Sequence, residues 1–324
     1  LFLRTLNVIF FPVVWLCDAV SAGSIIYLLL YITANALLLA LLFFVGKALY
    51  QDGLYTAASL GSSKKAEIRK KDISMESQFV SCLKKELRMI LRTRAFSGNT
   101  AYINMIWPVG AFLLFHLTRN NFNMIMFKSQ YYNRMDRAEL IMVMVMTSIA
   151  FIATALNCLA STAFTREGQH LALIKFIPVT YKTQMYAKAA VCVLFTYPML
   201  LLTDIIVCVY LKAPFYKGVI YGLFMLLAHV ISVVIGMYLD SVSPYVTWDD
   251  EYSALRGNLN AFFNMAIMMV ISVLVLGIGL LLYEVLKLPI TVYHIVMFAV
   301  LLGIALRLLA VGPRLITDQM EKMS

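Results

Sequence analysis

Between two long apolar runs the chain carries a polar stretch, residues 161–188, that contains Arg166, Glu167, Gly168, Leu173, Lys175 and Pro178. These side chains make no catalytic set. Their spacing suits a folded knob at a membrane face. Ser161, Thr162 or Thr165 can cap a short helix, with Glu167 near its positive end. Gly168 permits a sharp turn, Pro178 ends the segment, and Thr180 can cap the helix that follows. Leu171, Leu173, Ile174 and Phe176 are then free to dock a second protein. The chain has no Gly-x-x-x-x-Gly-Lys-Ser/Thr loop, so ATP is not expected to bind here. The knob therefore reads as a handle for a motor on another polypeptide, and the chain itself is expected to be neither an enzyme nor the holder of a cofactor.

A second polar run holds Asp240, Pro244, Trp248, Asp249, Asp250 and Glu251 against the lone cation Arg256. Clustered carboxylates can bind metal, but here a solvated loop, or partners for nearby Lys and Arg, is the expectation. Inside the apolar runs stand Asp204 and His229. Ionisable groups there are costly and default to functional candidates. They lie in neighbouring antiparallel spans at depths that differ by roughly 8 Å on a 1.5 Å rise, so they are possible pathway residues and not an obvious pair. Asn35 and Asn157 suit hydrogen bonds between helices. The five cysteines, Cys17, Cys82, Cys158, Cys192 and Cys208, are scattered with no Cys-x-x-Cys pair, so neither a metal site nor a disulfide framework is expected. No His-Glu-x-x-His run is present either, which argues against a zinc-dependent membrane enzyme.

The elements that must position these residues are membrane spans. The 324 residues are 62% hydrophobic and 14% charged, with a mean hydropathy of +0.83. Soluble domains are nearer half apolar and a quarter charged. Seven stretches reach the roughly 20 apolar residues that cross a bilayer: 25–45, 101–118, 139–160, 188–211, 217–239, 261–285 and 291–312. The expected fold is thus an all-α polytopic membrane protein. Residues 5–17 are apolar but short. The net charge of +10 follows membrane topology: 19 of the 27 Lys and Arg fall to one side if 46–100, 161–188, 240–259 and the C-terminal tail share it. The positive-inside rule makes that side cytoplasmic and puts the C-terminus there, in a cytoplasmic (plasma) membrane, with no need for a nucleic-acid partner. Residues 76–94 are amphipathic, with Phe79, Val80, Leu83, Leu87, Ile90 and Leu91 on one side and Lys84, Lys85, Arg88 and Arg92 on the other. Such a helix lies at the lipid headgroups.

With these loops in view, the chain resembles the permease subunit of a bacterial ATP-binding-cassette exporter of the ABC-2 type. The similarity covers the amphipathic helix and the six spans from 101 to 312. It rests on Arg166-Glu167-Gly168, Leu173-Ile174-Lys175, Ile177-Pro178-Val179-Thr180 and Lys188, and on Asp240, Pro244, Trp248, Glu251, Arg256 and Asn258. It departs at Phe176-Ile177-Pro178, where Leu more often precedes Pro, and at His170. The resemblance implies a six-helix bundle whose 163–182 loop docks an ABC ATP-binding subunit, with ATP and Mg held by that partner. It divides the chain into 1–50, the last helix of a preceding transmembrane half; 51–75, a basic cytoplasmic linker; 76–98, an interfacial amphipathic helix; and 99–324, a permease domain with coupling loop 161–188. Membrane lipid and either the rest of a longer permease chain or a second permease copy are the other implied partners, and the chain is expected to be the C-terminal portion of a longer protein. An ion-coupled secondary transporter and a non-transporting sensor or scaffold remain the alternatives.

Overall fold

The computed structural model describes residues 15–16, 19, 23–59, 76–117, 135–287 and 289–322. The short apolar segment 5–17, most of the basic linker (60–75) and the loop 118–134 lie outside the described residues, apart from positions 15 and 16. Among the described residues the fold is all-helical, and seven helices are long and apolar enough to cross a membrane.

The chain divides into two units, Leu1–Met75 and Glu76–Ser324. In the first, α1 (Ile25–Ser59) carries apolar side chains on every face, and from Ile25 to Val45 all but Tyr31 and Ala34 are exposed. That pattern suits hydrocarbon as the solvent. The helix runs past residue 50, where the sequence reading started a linker, because Ala48, Leu49, Leu54, Ala57 and Ala58 are strong helix formers.

The second unit opens with α2 (Gln78–Arg92), whose first turn is capped by Ser77 accepting from the Val80 amide. Thr93 is extended and breaks the chain before α3 (Arg94–Leu117). The start of α3 is irregular: a wide π turn at Ser97–Ala101 and a tight 3-10 turn at Tyr102–Met105 precede the regular part. Thr100 and Asn104, both buried, donate back to the Phe96 and Thr100 carbonyls and satisfy groups that the changing register would strand. The remaining spans are α4 (Met135–Leu156), α5 (Tyr181–Leu211), α6 (Phe215–Val242), α7 (Leu259–Leu286) and α8 (Ile290–Lys322).

Helix α6 is the hub and packs on α4, α5, α7 and α8. Its inward face, with Phe224, Met225, Ala228 and Ile231, meets Val143, Ala150 and Phe151 of α4 and Leu301 and Ala305 of α8. On the outer faces of α7 and α8 the large exposed residues between Leu259 and Leu286 and between Val292 and Leu306 are mostly Val, Leu and Ile, with Phe262, Phe263 and Met269. The bundle buries its polar groups and shows its apolar ones outward, as a bilayer requires. Met144, Met146 and Met268 are core packing, and Met269 is exposed. Asn157 joins α4 to its neighbours, donating to Asn104 at 3.0 Å and Thr196 at 2.8 Å, whereas Asn35, among the described residues, donates to Tyr31 of its own helix.

Helix α2 is more than a raft on lipid. Its apolar side splits: Leu83, Leu87 and Ile90 pack with the Leu159, Phe164 and Val191 cluster, while Phe79, Val80 and Leu91 stay exposed. The half that faces the protein also carries Glu86, which is buried.

Candidate functional site: a polar clamp at the 165–168 turn

The polar knob is built on the segment Thr165–Phe176, two 3-10 pieces joined at Gly168. None of Ser161, Thr162 or Thr165 caps it, contrary to the sequence expectation. The residue before the first piece is Phe164, and the Thr162 and Thr165 hydroxyls donate elsewhere, to the Cys158 carbonyl and to Asp240. Thr180 does cap α5, accepting from the Thr183 amide.

Two buried networks hold four consecutive residues from opposite sides. On one side Asp240 sits at the last turn of α6, fully buried and not in a solvated loop. Its Oδ2 accepts from the Phe164 and Thr165 amides at 2.6 and 3.0 Å, and its Oδ1 from Thr165 Oγ1 at 2.6 Å and Asn260 Nδ2 at 3.3 Å. The Thr165 hydroxyl also accepts from the Tyr245 amide at 3.0 Å and Asn258 Nδ2 at 3.1 Å. One donor and two acceptor positions are all that a hydroxyl has, and all are used. Asn258 doubles as the cap of α7, accepting from the Asn260 amide. Trp248 donates to the Thr165 carbonyl at 2.9 Å and lays its ring over Gly168. Gly168 has φ 54 and ψ −136, and a Cβ there would lie 2.7 Å from the Trp248 ring. Only glycine meets both conditions. Pro244 is half-buried in the extended run beside Thr165, while Asp249, Asp250 and Glu251 are exposed.

On the other side Lys188, in the second turn of α5 and 1% exposed, donates to Glu86 Oε1 and Glu167 Oε1, both at 2.7 Å, and to the Ala163 carbonyl at 2.8 Å. Lys85 reaches Glu167 at 2.5 Å from the rim. Arg166 donates through Nη1 to the Leu159 carbonyl and Thr162 Oγ1, and its Nη2 stands 3.8 Å from Glu86 Oε2. Burial alone would raise the Glu167 carboxyl, but the Lys188 and Lys85 ammonium groups outweigh it and hold it well below the usual carboxylate range. The Cys158 thiol, beside the segment, is pushed up to about 11 by burial, with Arg166 opposing.

Beyond the clamp the knob presents Phe176, 81% exposed, and Leu173, 54% exposed; Ile174 turns inward. Pro178 is exposed, and its carbonyl accepts from Gln78 of α2 at 3.3 Å. The side chain of Lys175 lies outside the described residues.

Arg166, Glu167, Gly168, Asp240 and Trp248 thus come together, whereas Asp204 and His229 do not meet. His229 pairs with Thr154 Oγ1 at 2.8 Å and stacks on Tyr197, while Asp204 stands nearer the 212–214 turn at the far end of α5. Sequence reasoning passed over Glu86 and Asn260. Glu86 had a signal, an acid on the apolar side of α2 opposite Lys84 and Arg88. Among the described residues no group of His, Cys, Asp and Glu is arranged to hold a metal ion.

Comparison with known proteins gave no match among curated proteins and none among solved structures. A family profile described as "Membrane protein of 12 TMs" matches residues 1–310. That match covers nearly the whole chain, and with seven apolar, span-length helices among the described residues it identifies a polytopic membrane protein that belongs to this twelve-span family.

Proposed function

We propose that the chain is the membrane permease of an ABC-2 type transporter, moving its substrate (by export) across the cytoplasmic membrane under the drive of a separate ATP-binding subunit. That subunit docks on residues 163–182, holds ATP and Mg, and faces the same cytoplasmic side as the C-terminus. One observation carries this reading: Phe176 and Leu173 project from a segment whose root is bolted by Thr165, Glu167 and Gly168 to α2, α5, α6 and the α6–α7 connection. An exposed apolar contact on a stiff root can pass force from one protein to three helices and the connection into a fourth. A loosely held one would absorb it. Rigid movement of helix bundles is the usual membrane answer to such a push. The family's twelve spans make further helices, in the same polypeptide or a second copy, the expected bundle partner.

Glu167 is a poor reporter of docking, because its reversal would put a cation beside Lys85 and Lys188 and disturb the clamp itself. Phe176→Asp is the better probe. It is expected to leave the melting temperature unchanged while removing an ATPase that co-purifies with the wild-type chain. Wild-type protein purified from native membranes without any ATPase would overturn the reading, as would an ATPase that stays bound to Phe176→Asp.

A second reading, ion-coupled transport, has one observation in its favour. Along the inward face of α6, His229 Nε2 and Ser232 Oγ, with both amide atoms of Asn264 on α7, are buried without a protein hydrogen-bond partner among the described residues. Buried polar groups of this kind hold water or a moving ion. Uptake or efflux in liposomes that needs a pH or sodium gradient and no ATP would select it.

A further inference from the structure

Between α5 and α6, next to their 212–214 turn, lies an open-sided cavity of about 710 Å³. Small-molecule sites span roughly 300–1,000 Å³. Its walls are mostly apolar, with Leu201 and Ile205 from α5 and Val219 and Leu223 from α6, and Lys212 lines its rim at the turn without an ion pair to Asp204. Asp204 lies in the wall, 4% exposed.

This carboxylate is unlike the other buried acids of the bundle. Glu86 and Glu167 share Lys188, and Asp240 accepts two amides, a hydroxyl and a side-chain amide. Among the described residues Asp204 accepts one weak bond, from Cys208 Sγ at 3.4 Å, and no Lys, Arg or His nitrogen is paired with it. The opposing helix approaches it closely through glycines, and the cavity opens beside them. Gly218 and Gly222, one turn apart on α6, face Asp204, and a Cβ at either would stand 3.7 or 3.8 Å from Oδ2. A buried charge without a partner is expensive. A hard metal ion would ask for about six oxygen ligands, which this cavity does not offer. A cation with a large apolar body fits both the charge and the walls.

We propose that this cavity binds an amphipathic organic monocation, its charge against Asp204 and its apolar body against Leu201, Ile205, Val219 and Leu223. The site is a binding site in its own right, whatever drives the permease. Tetraphenylphosphonium is the probe, with triphenylphosphine oxide as the uncharged counterpart, tested by equilibrium dialysis on the full chain in nanodiscs of zwitterionic lipid. The wild-type chain binds the cation saturably above empty nanodiscs, and the neutral compound at least tenfold more weakly. Asp204→Asn loses at least tenfold in affinity for the cation and nothing for the neutral compound, and Asp204→Glu retains cation binding. Gly222→Leu fills the space and abolishes binding of both, and Leu201→Trp does the same should the first variant fail to fold. The proposal is overturned if the wild type shows no saturable binding, if Asp204→Asn binds the cation as tightly as wild type, or if charge makes no difference to affinity.

Discussion

Replacing Lys188 with Met removes the buried ammonium that hydrogen-bonds both Glu86 and Glu167. Three short bonds go at once, to Glu86, Glu167 and the Ala163 carbonyl. Glu167 keeps Lys85 at 2.5 Å. Glu86 is left worse off, with Lys85 at 3.7 Å and Arg166 at 3.8 Å, both too far for a hydrogen bond. Breaking a buried pair by deleting one partner costs about 3–5 kcal/mol, and because Glu167 retains a cation the lower end, about 3 kcal/mol, applies. Removing the stranded charge as well should return part of it. The double variant Lys188→Met/Glu86→Gln is expected to be more stable than the sum of the single changes by about 1–3 kcal/mol, the coupling found within shared polar networks. Equilibrium unfolding in mixed micelles, followed by tryptophan fluorescence, measures all four corners of the cycle. A Lys188→Met chain within about 1 kcal/mol of wild type, or strictly additive changes, would refute the view that these charges hold α2 to α5 and the knob.

Three other outcomes are expected. Gly168→Ala meets both a positive φ and the Trp248 ring, so it should destabilise by about 1–3 kcal/mol and shift tryptophan emission, whereas Gln169→Ala, on an exposed neighbour, should do neither. Because the folded-state carboxyl of Glu167 lies below its unfolded value of 4.5, its contribution to stability is complete at neutral pH and is lost as pH falls below that value; Glu167→Gln should flatten the acid limb of the unfolding curve. With its thiol pushed up to about 11, Cys158 should react with maleimide at pH 7 far more slowly than a free thiol in water, and urea should restore ordinary reactivity.

The spans were readable because each is long and apolar on all sides, so hydropathy alone finds it, and only their ends moved. Residues 181–187 joined α5 because Thr180 caps it eight residues before the apolar run starts. The irregular start of α3 was not readable, since wide and tight turns there depend on back-bonds from Thr100 and Asn104 that leave no periodic trace. At the knob the residue types were legible and their partners were not. Asp240 looked like one acid among four, and only the approach of the 164–165 amides, some 75 residues away in sequence, sets it apart from Asp249 and Asp250. Thr165 was read as a local cap because short-range geometry is all that spacing reports. Its three actual partners come from α6, the α6–α7 connection and the cap of α7.

With every lone pair and proton of the Thr165 hydroxyl engaged, that end of the bundle behaves as a welded joint. The 161–168 segment, α6 and the start of α7 cannot slide past one another there without severing it, so any relative motion of these helices would swing about this pivot and grow in amplitude towards the opposite ends. The largest excursions would then fall where α5 turns into α6, at the mouth that Asp204 overlooks.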